Sequence, residues 1–196
     1  MKKSGPRYRV QFRRKREGRT DYRLRLRLLM SGKPRFVPRI SLKHVSAQVI
    51  ESTEKGDKIL ASAHSKQLVK MGWKGGCSNM PSAYLVGLLC GYRAMKAGVR
   101  SCVLDSGVTR PAGRSTIFSV LKGALDAGLE IPHGDITPDE DRISGKHISE
   151  HARGLREKDP GSYEKRFSEY IKRGLNPEDL PEHFNAIKQE IVKQFQ

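Results

Sequence analysis

The sequence predicts an α/β domain on a mixed sheet, in which an antiparallel meander joins a helix–strand–helix unit. A basic N-terminal arm precedes it and a helical C-terminal extension follows it. Three observations carry this. Residues 99–131, VRSCVLDSGVTRPAGRSTIFSVLKGALDAGLEI, read as strand, Gly/Pro-rich loop and helix, and the preceding run 81–98 also has helical spacing. After Pro34, three runs of strand character, 35–40, 44–51 and 58–63, are joined by short connectors, as in a meander. The charge is also lopsided. Of a net +17, residues 1–45 hold sixteen Lys or Arg against only Glu17 and Asp21, while residues 133–196 hold eleven against thirteen acids. The expected division is an arm over 1–19, a core over 20–132 and an extension over 133–196.

The totals set limits. A chain of 196 residues makes one domain with an appendage. No run of about 18 apolar residues exists, so no membrane span is expected. The basic start has no apolar run after it and is not a secretory signal. Cys77, Cys90 and Cys102 are odd in number and lack C-x-x-C spacing, which fits buried thiols in a reducing cytosol. The charge calls for a polyanion docked at one end, and residues 1–19 lack the apolar face that a membrane-surface helix needs.

In the arm, nine of nineteen residues are cationic: Lys2, Lys3, Arg7, Arg9, Arg13, Arg14, Lys15, Arg16 and Arg19. Like charges repel, so the free arm is expected to be disordered. Tyr8 and Phe12 sit among them. Guanidinium groups bind phosphate bidentately and aromatic rings stack on unpaired bases, a mixture suited to RNA.

Residues 20–30, TDYRLRLRLLM, carry two conflicting signals. Arg23, Arg25 and Arg27 alternate with Leu24, Leu26 and Leu28, which on pattern alone favours a strand. Yet Thr20-Asp21 starts a helix well, and Ser31-Gly32-Lys33-Pro34 stops one. Arg23 and Arg27 are RNA-binding candidates in either case. In the meander, Arg35 and Arg39 share a face with Lys33 and Lys43 close by, extending the basic surface onto the sheet.

Residues 64–71 suit a short helix. The loop 72–79 carries the single tryptophan. Trp73, beside Lys74, either stacks on a base or caps the core, and the high average burial of Trp favours the core. Both residues are kept as RNA-binding candidates. Asn79, Pro81 and Ser82 supply helix-start chemistry for 82–97, and Gly98 ends that helix. Beyond Pro132, helices are expected near 137–155, 162–173 and 176–195. Their stripes Tyr163/Phe167/Tyr170-Ile171 and Phe184/Ile187/Ile191 should bury against the core or another protein.

Three motifs suggest other chemistry. Gly107 and Gly113 enclose five residues where a phosphate-binding P-loop has four, and Arg114 stands where its lysine would be. A weaker idea is an RNA phosphate at the helix opened by Gly113, Arg114 and Ser115. An RNA-processing or NTP-hydrolysing enzyme using 107–115 is the alternative function. His147, Glu150 and His151 match H-x-x-E-H, the inverted zinc-peptidase order, but a third ligand such as Glu164 or Glu169 is only a guess. Asp105 ends a buried strand with no partner for acid–base work, so it is expected to accept hydrogen bonds from loop amides. No cofactor, metal or small-molecule substrate is expected.

Four stretches together carry a family resemblance: GPRYRVQFRRKREGRTDYRLRLRLLMSGKPRFVPRIS, HVSAQVI, PSAYLVGLLCGYRA and LDSGVTRPAGRSTIFSVLKGALDAGLEIPH. They resemble the archaeal-type large-subunit ribosomal protein L-eighteen family, whose eukaryotic counterpart is ribosomal protein L-five. The most specific parts are GRTDYRLRLRLL (18–29) and KGALDAGLEIPH (122–133). The resemblance implies a non-catalytic protein of the large subunit's central protuberance. Its arm and adjacent sheet would hold 5S rRNA, and other surfaces would reach the large rRNA and neighbouring ribosomal proteins. It also implies that residues 20–30 are a helix, with the arginines spread around it.

Overall fold

The computed structural model describes residues 5–7 and 9–195. Two helices come first, α1 (Arg13–Arg16) and α2 (Tyr22–Met30). α2 is the segment with conflicting signals, and its ends decide the outcome. Asp21 caps it by accepting the amides of Arg23 and Leu24, and Gly32 follows it at φ +66°. The Arg/Leu alternation has no sheet partner to bury its leucines against, so the strand pattern has nothing to stabilise it.

The sheet contains β1 (Arg35–Ile40), β2 (Val45–Thr53), β3 (Gly56–His64) and β4 (Val103–Leu104), in the order β3-β2-β1-β4. The first three form the antiparallel meander, and β4 adds to β1 in parallel. Register separates two faces. Phe36 opposes Val49 and Pro38 opposes Ala47, which puts them on the core side with Val45. Arg35, Val37 and Arg39 lie on the other face, opposite Ile50, Gln48 and Ser46.

His64 ends β3 and caps α3 (Ser65–Lys70), its Nδ1 accepting the Lys66 amide while Gln67 reaches back to the His64 amide. α4 (Met80–Lys96) is capped by Asn79 and buried along most of its length. It packs closely on α5 (Thr116–Asp126). A Cβ at Gly87 would collide with the Val120 carbonyl, and one at Gly123 with the Tyr84 carbonyl.

The C-terminal part contains α6 (Glu140–Ser144), α7 (Lys146–Lys158), α8 (Pro160–Lys172), a 3-10 turn (Pro177–Asp179) and α9 (Leu180–Phe195). The helix expected over 137–155 is two helices, broken at Gly145, which has φ +86° and lies against Leu180 and Pro81. Leu180, Phe184, Ile187 and Ile191 join the same buried cluster as the sheet and α4. The α9 stripe therefore packs on the core, whereas of the α8 stripe only Tyr170 reaches it and Phe167 lies among His151, Tyr163 and Tyr170. Phe167 is buried while Ile171 stays exposed.

Candidate nucleic-acid interface

The arginine pattern resolves into two populations, one buried and one exposed. Arg35 is 4% exposed. Its Nη1 donates to Asp105 Oδ2 at 2.8 Å and its Nη2 to Asp57 Oδ2 at 2.9 Å. Arg25 of α2 grips the same Asp57 with both carboxylate oxygens in reach, at 3.0 and 2.9 Å. Arg39 donates to the Asp105 carbonyl at 2.8 Å, and Gly107 donates its amide to Asp105 Oδ1 at 2.8 Å. One chain of ion pairs thus ties α2, β3, β1 and the loop after β4 together. Burial acts to raise the Asp57 carboxyl, but the Arg35 hydrogen bond and the Arg35 and Arg25 charges outweigh it and hold it below the ordinary carboxylate range. Asp105 takes the loop amide expected from the sequence. Arg25 and Asp57 were not expected there.

This network fixes the walls of three adjoining clefts between α1, α2 and loop 105–111. The largest, about 470 Å3, has Arg23, Leu24 and Arg27 of α2 on one side and Val108, Arg110 and Pro111 on the other. A smaller one, about 140 Å3, is lined by Arg14, Arg19, Arg25, Arg35 and Arg39. A third includes Lys15. Together nine cationic side chains line the clefts, against the carboxylates of Asp21 and Asp105. Gly107 is needed here: its φ is +70°, and a Cβ would lie 3.0 Å from the Arg39 guanidinium.

The other candidates lie elsewhere. Arg7, Arg9 and Arg16 are exposed, and Phe12, 72% exposed, has its ring 5.3 Å from that of Tyr22. Arg13 pairs with Glu17 at 2.7 Å. Lys33 donates to Ser101 Oγ, and Lys43 is exposed in the β1–β2 turn. Lys2, Lys3 and Tyr8 lie outside the described residues.

The position of Trp73 is a matter of packing. It is 1% exposed, stacks on His183 at 5.1 Å and donates Nε1–H to the Gly76 carbonyl, so its ring lies in the core and not on the basic face. Lys74 is drawn to α8 and α9: its amide donates to His183 Nε2 and its Nζ to the Gly174 carbonyl. Arg114 does not open the helix as an anion site would need. Its amide is spent on the Ile136 carbonyl, its φ is +59°, and α5 begins only at Thr116.

The other motifs resolve into structural features. Loop 107–113 forms the wall of a cleft with α2 and does not wrap the start of α5. Among the described residues, no group of three His, Cys, Asp or Glu is placed to hold a metal ion. Burial pushes the Cys90 thiol up to about 12 and the Cys102 thiol to about 11, leaving both protonated and inert. No helix among the described residues is long and apolar enough to cross a membrane.

This is a cationic, cleft-bearing surface on an α/β body, and the comparisons with known proteins give the class: a ribosomal protein of the large subunit. A family model described as "Ribosomal large subunit proteins 60S L5, and 50S L18" matches residues 6–100 and 94–134. The large ribosomal subunit protein uL18 of Methanococcus maripaludis is 56% identical over 186 residues, covering 94% of this chain and 96% of that protein. The chain belongs to this L5/L18 family of large-subunit ribosomal proteins.

Proposed function

We propose that this chain binds 5S rRNA through its arm, α1, α2 and the adjoining cleft surface, and anchors that RNA to the large rRNA in the central protuberance. Neighbouring ribosomal proteins would complete the assembly. The observation that carries the reading is the gathering of nine cationic side chains around the clefts against two carboxylates. Asp57 offsets part of this charge at Arg25 and Arg35, and the excess that remains favours a polyanion as the partner of this surface. Arg25, Arg35 and Arg39 set the shape of the surface. Arg7, Arg9, Arg14, Lys15, Arg16, Arg19, Arg23 and Arg27 neutralise phosphates on it, with Lys2 and Lys3 extending the reach. Phe12, exposed and backed by Tyr22, offers a face to an unpaired base.

The test is binding of the full chain to isolated 5S rRNA at two salt concentrations, with a generic RNA duplex of equal length as competitor. Binding that survives the competitor at moderate salt is expected. Equal binding to both RNAs that collapses together with salt would sink the 5S assignment and leave only a polyanion surface.

A further inference from the structure

We infer that the largest and the smallest of the three clefts beside α2, about 470 and 140 Å3, together form a seat for a single unpaired ribonucleotide, its base in the first and its phosphate in the second. The inference rests on the RNA-binding reading for the source of the nucleotide, and deepens it. Three features of the geometry support it.

The first is the pairing of the cavities. The larger cleft, about 470 Å3, falls within the roughly 300–1,000 Å3 of small-ligand sites. It offers apolar surface from Leu24, Val108 and Pro111, and planar guanidiniums from Arg23, Arg27 and Arg110 that can stack on a base. The adjoining cleft, about 140 Å3, is polar and surrounded by five arginines, which suits a phosphate better than a base.

The second is an unsatisfied donor. Arg35 is nearly fully buried and lines the small cleft, and its Nε has no acceptor, although Nη1 and Nη2 are both engaged. A buried charged donor without a partner is costly, and an anion in the cleft that this side chain lines would offset that cost through its charge.

The third is Asp21, which lines both clefts. Its Oδ1 accepts the amides of Arg23 and Leu24, and its Oδ2 takes no hydrogen bond among the described residues. A carboxylate at this junction disfavours a bare anion but suits a ligand that brings hydroxyl donors between its base and its phosphate. The ribose of a ribonucleotide does so, and its 2′-hydroxyl is the group that DNA lacks. A base inside an A-form duplex does not reach into such a cleft, so the nucleotide must be single-stranded, bulged or extruded.

The experiment is a titration of the isotope-labelled full chain with adenosine 5′-monophosphate, deoxyadenosine 5′-monophosphate and inorganic phosphate, read by amide chemical shifts. The expected result is saturable shifts at Leu24, Gly107 and Val108 with the ribonucleotide. Deoxyadenosine monophosphate should bind several-fold more weakly, and inorganic phosphate should leave Val108 unmoved. Arg19→Ala and Arg110→Ala should each weaken the ribonucleotide about tenfold. Asp21→Asn, which keeps the cap oxygen, should remove the ribose preference. Lys165→Ala on exposed α8 should change nothing. No shift up to about 10 mM ligand overturns the inference. So do identical shifts from all three ligands, which would mark an adventitious anion site only. A mononucleotide that binds here while 5S rRNA shows no preference over the duplex would overturn the 5S reading and leave this one standing.

Discussion

At the scale of residues, the ion-pair chain around Arg35 separates cations that build the surface from cations that serve it. Arg35 and Asp105 have side chains only 5% and 9% exposed, so removing one leaves the other buried with less compensation. Asp105→Ala should cost about 3 kcal/mol, the lower end of the usual range because Arg35 keeps Asp57. The melting temperature should then fall by roughly 6–12 °C. Arg39→Ala, at a guanidinium 48% exposed, should cost less than about 1 kcal/mol. Equal losses at the two positions would contradict the division. The sequence showed Asp105 as an acceptor because it ends an apolar run before Ser-Gly. It did not show Arg25 with Asp57, since those partners lie 32 positions apart and meet only after the meander forms. Histidines make a second residue-scale case. His64 caps α3 through an unprotonated Nδ1, and burial, then the charges of His44 and Lys66, lower its pKa. His183, which accepts the Lys74 amide, is lowered by burial and then by Lys74. Above about pH 6.5 both folded and unfolded chains carry these rings neutral and stability is level. Below it the unfolded chain takes up protons first, so stability must fall on acidification through the histidine range. Melting curves between pH 7.5 and 5 should show the drop, and His64→Asn, which retains a cap, should reduce it. A flat profile would contradict the buried-neutral assignment.

At the scale of elements, α4 and α5 show how packing overrides propensity. A glycine inside a helix ordinarily destabilises it by about 0.5–1 kcal/mol relative to Ala. Gly87 and Gly123 are retained because each leaves room for a carbonyl of the facing helix. Gly87→Ala or Gly123→Ala should therefore destabilise by about 1–3 kcal/mol despite the better helix former. Gly154→Ala on α7, where nothing lies within 4 Å, should stabilise by about 0.5–1 kcal/mol. Chemical denaturation distinguishes the two signs, and a gain at Gly87 would refute the close approach. These close approaches were invisible in the sequence, because a glycine's neighbours across an interface leave no mark on its own spacing. The caps were legible, as at Asn79 for α4 and the 31–34 stop after α2. The α2 pattern misleads on its own because Arg/Leu alternation is shared by a strand and by a helix with arginines on several sides. Its ends carried the information that its middle lacked. The break at Gly145 was missed for the opposite reason: the apolar pattern runs through it, and what favours glycine there is its positive φ together with Leu180 and Pro81, which leave no room for a Cβ.

At the scale of the whole molecule, charge and core are separated along the chain. The buried cluster runs from Phe36 to Ile191, and α1 and α2 contribute no buried residue. The concentration of charge in the arm was readable because charge density depends only on composition. The positions of Trp73 and Lys74 were less readable, because their partners, His183 and Gly174, arrive from α9 and the end of α8. This separation allows a clean test of what the arm does. Deleting residues 1–19 removes nine cations and, among the described residues, nothing from the core. The melting temperature should barely move, while affinity for 5S rRNA should fall severely. The dependence of log K on log salt should flatten by about 0.7–0.9 for each phosphate the shortened chain no longer neutralises, with an upper bound of roughly 6–8 if all nine cations engage phosphate. Affinity falling with an unchanged slope would mean that the arm acts by shape or stacking, with Phe12 as its main point of attachment. A large drop in melting temperature would mean that the arm supports the fold. Only weaker affinity together with a shallower slope, on an intact body, assigns the arm to phosphate neutralisation and leaves the cleft beside α2 to contact the bases.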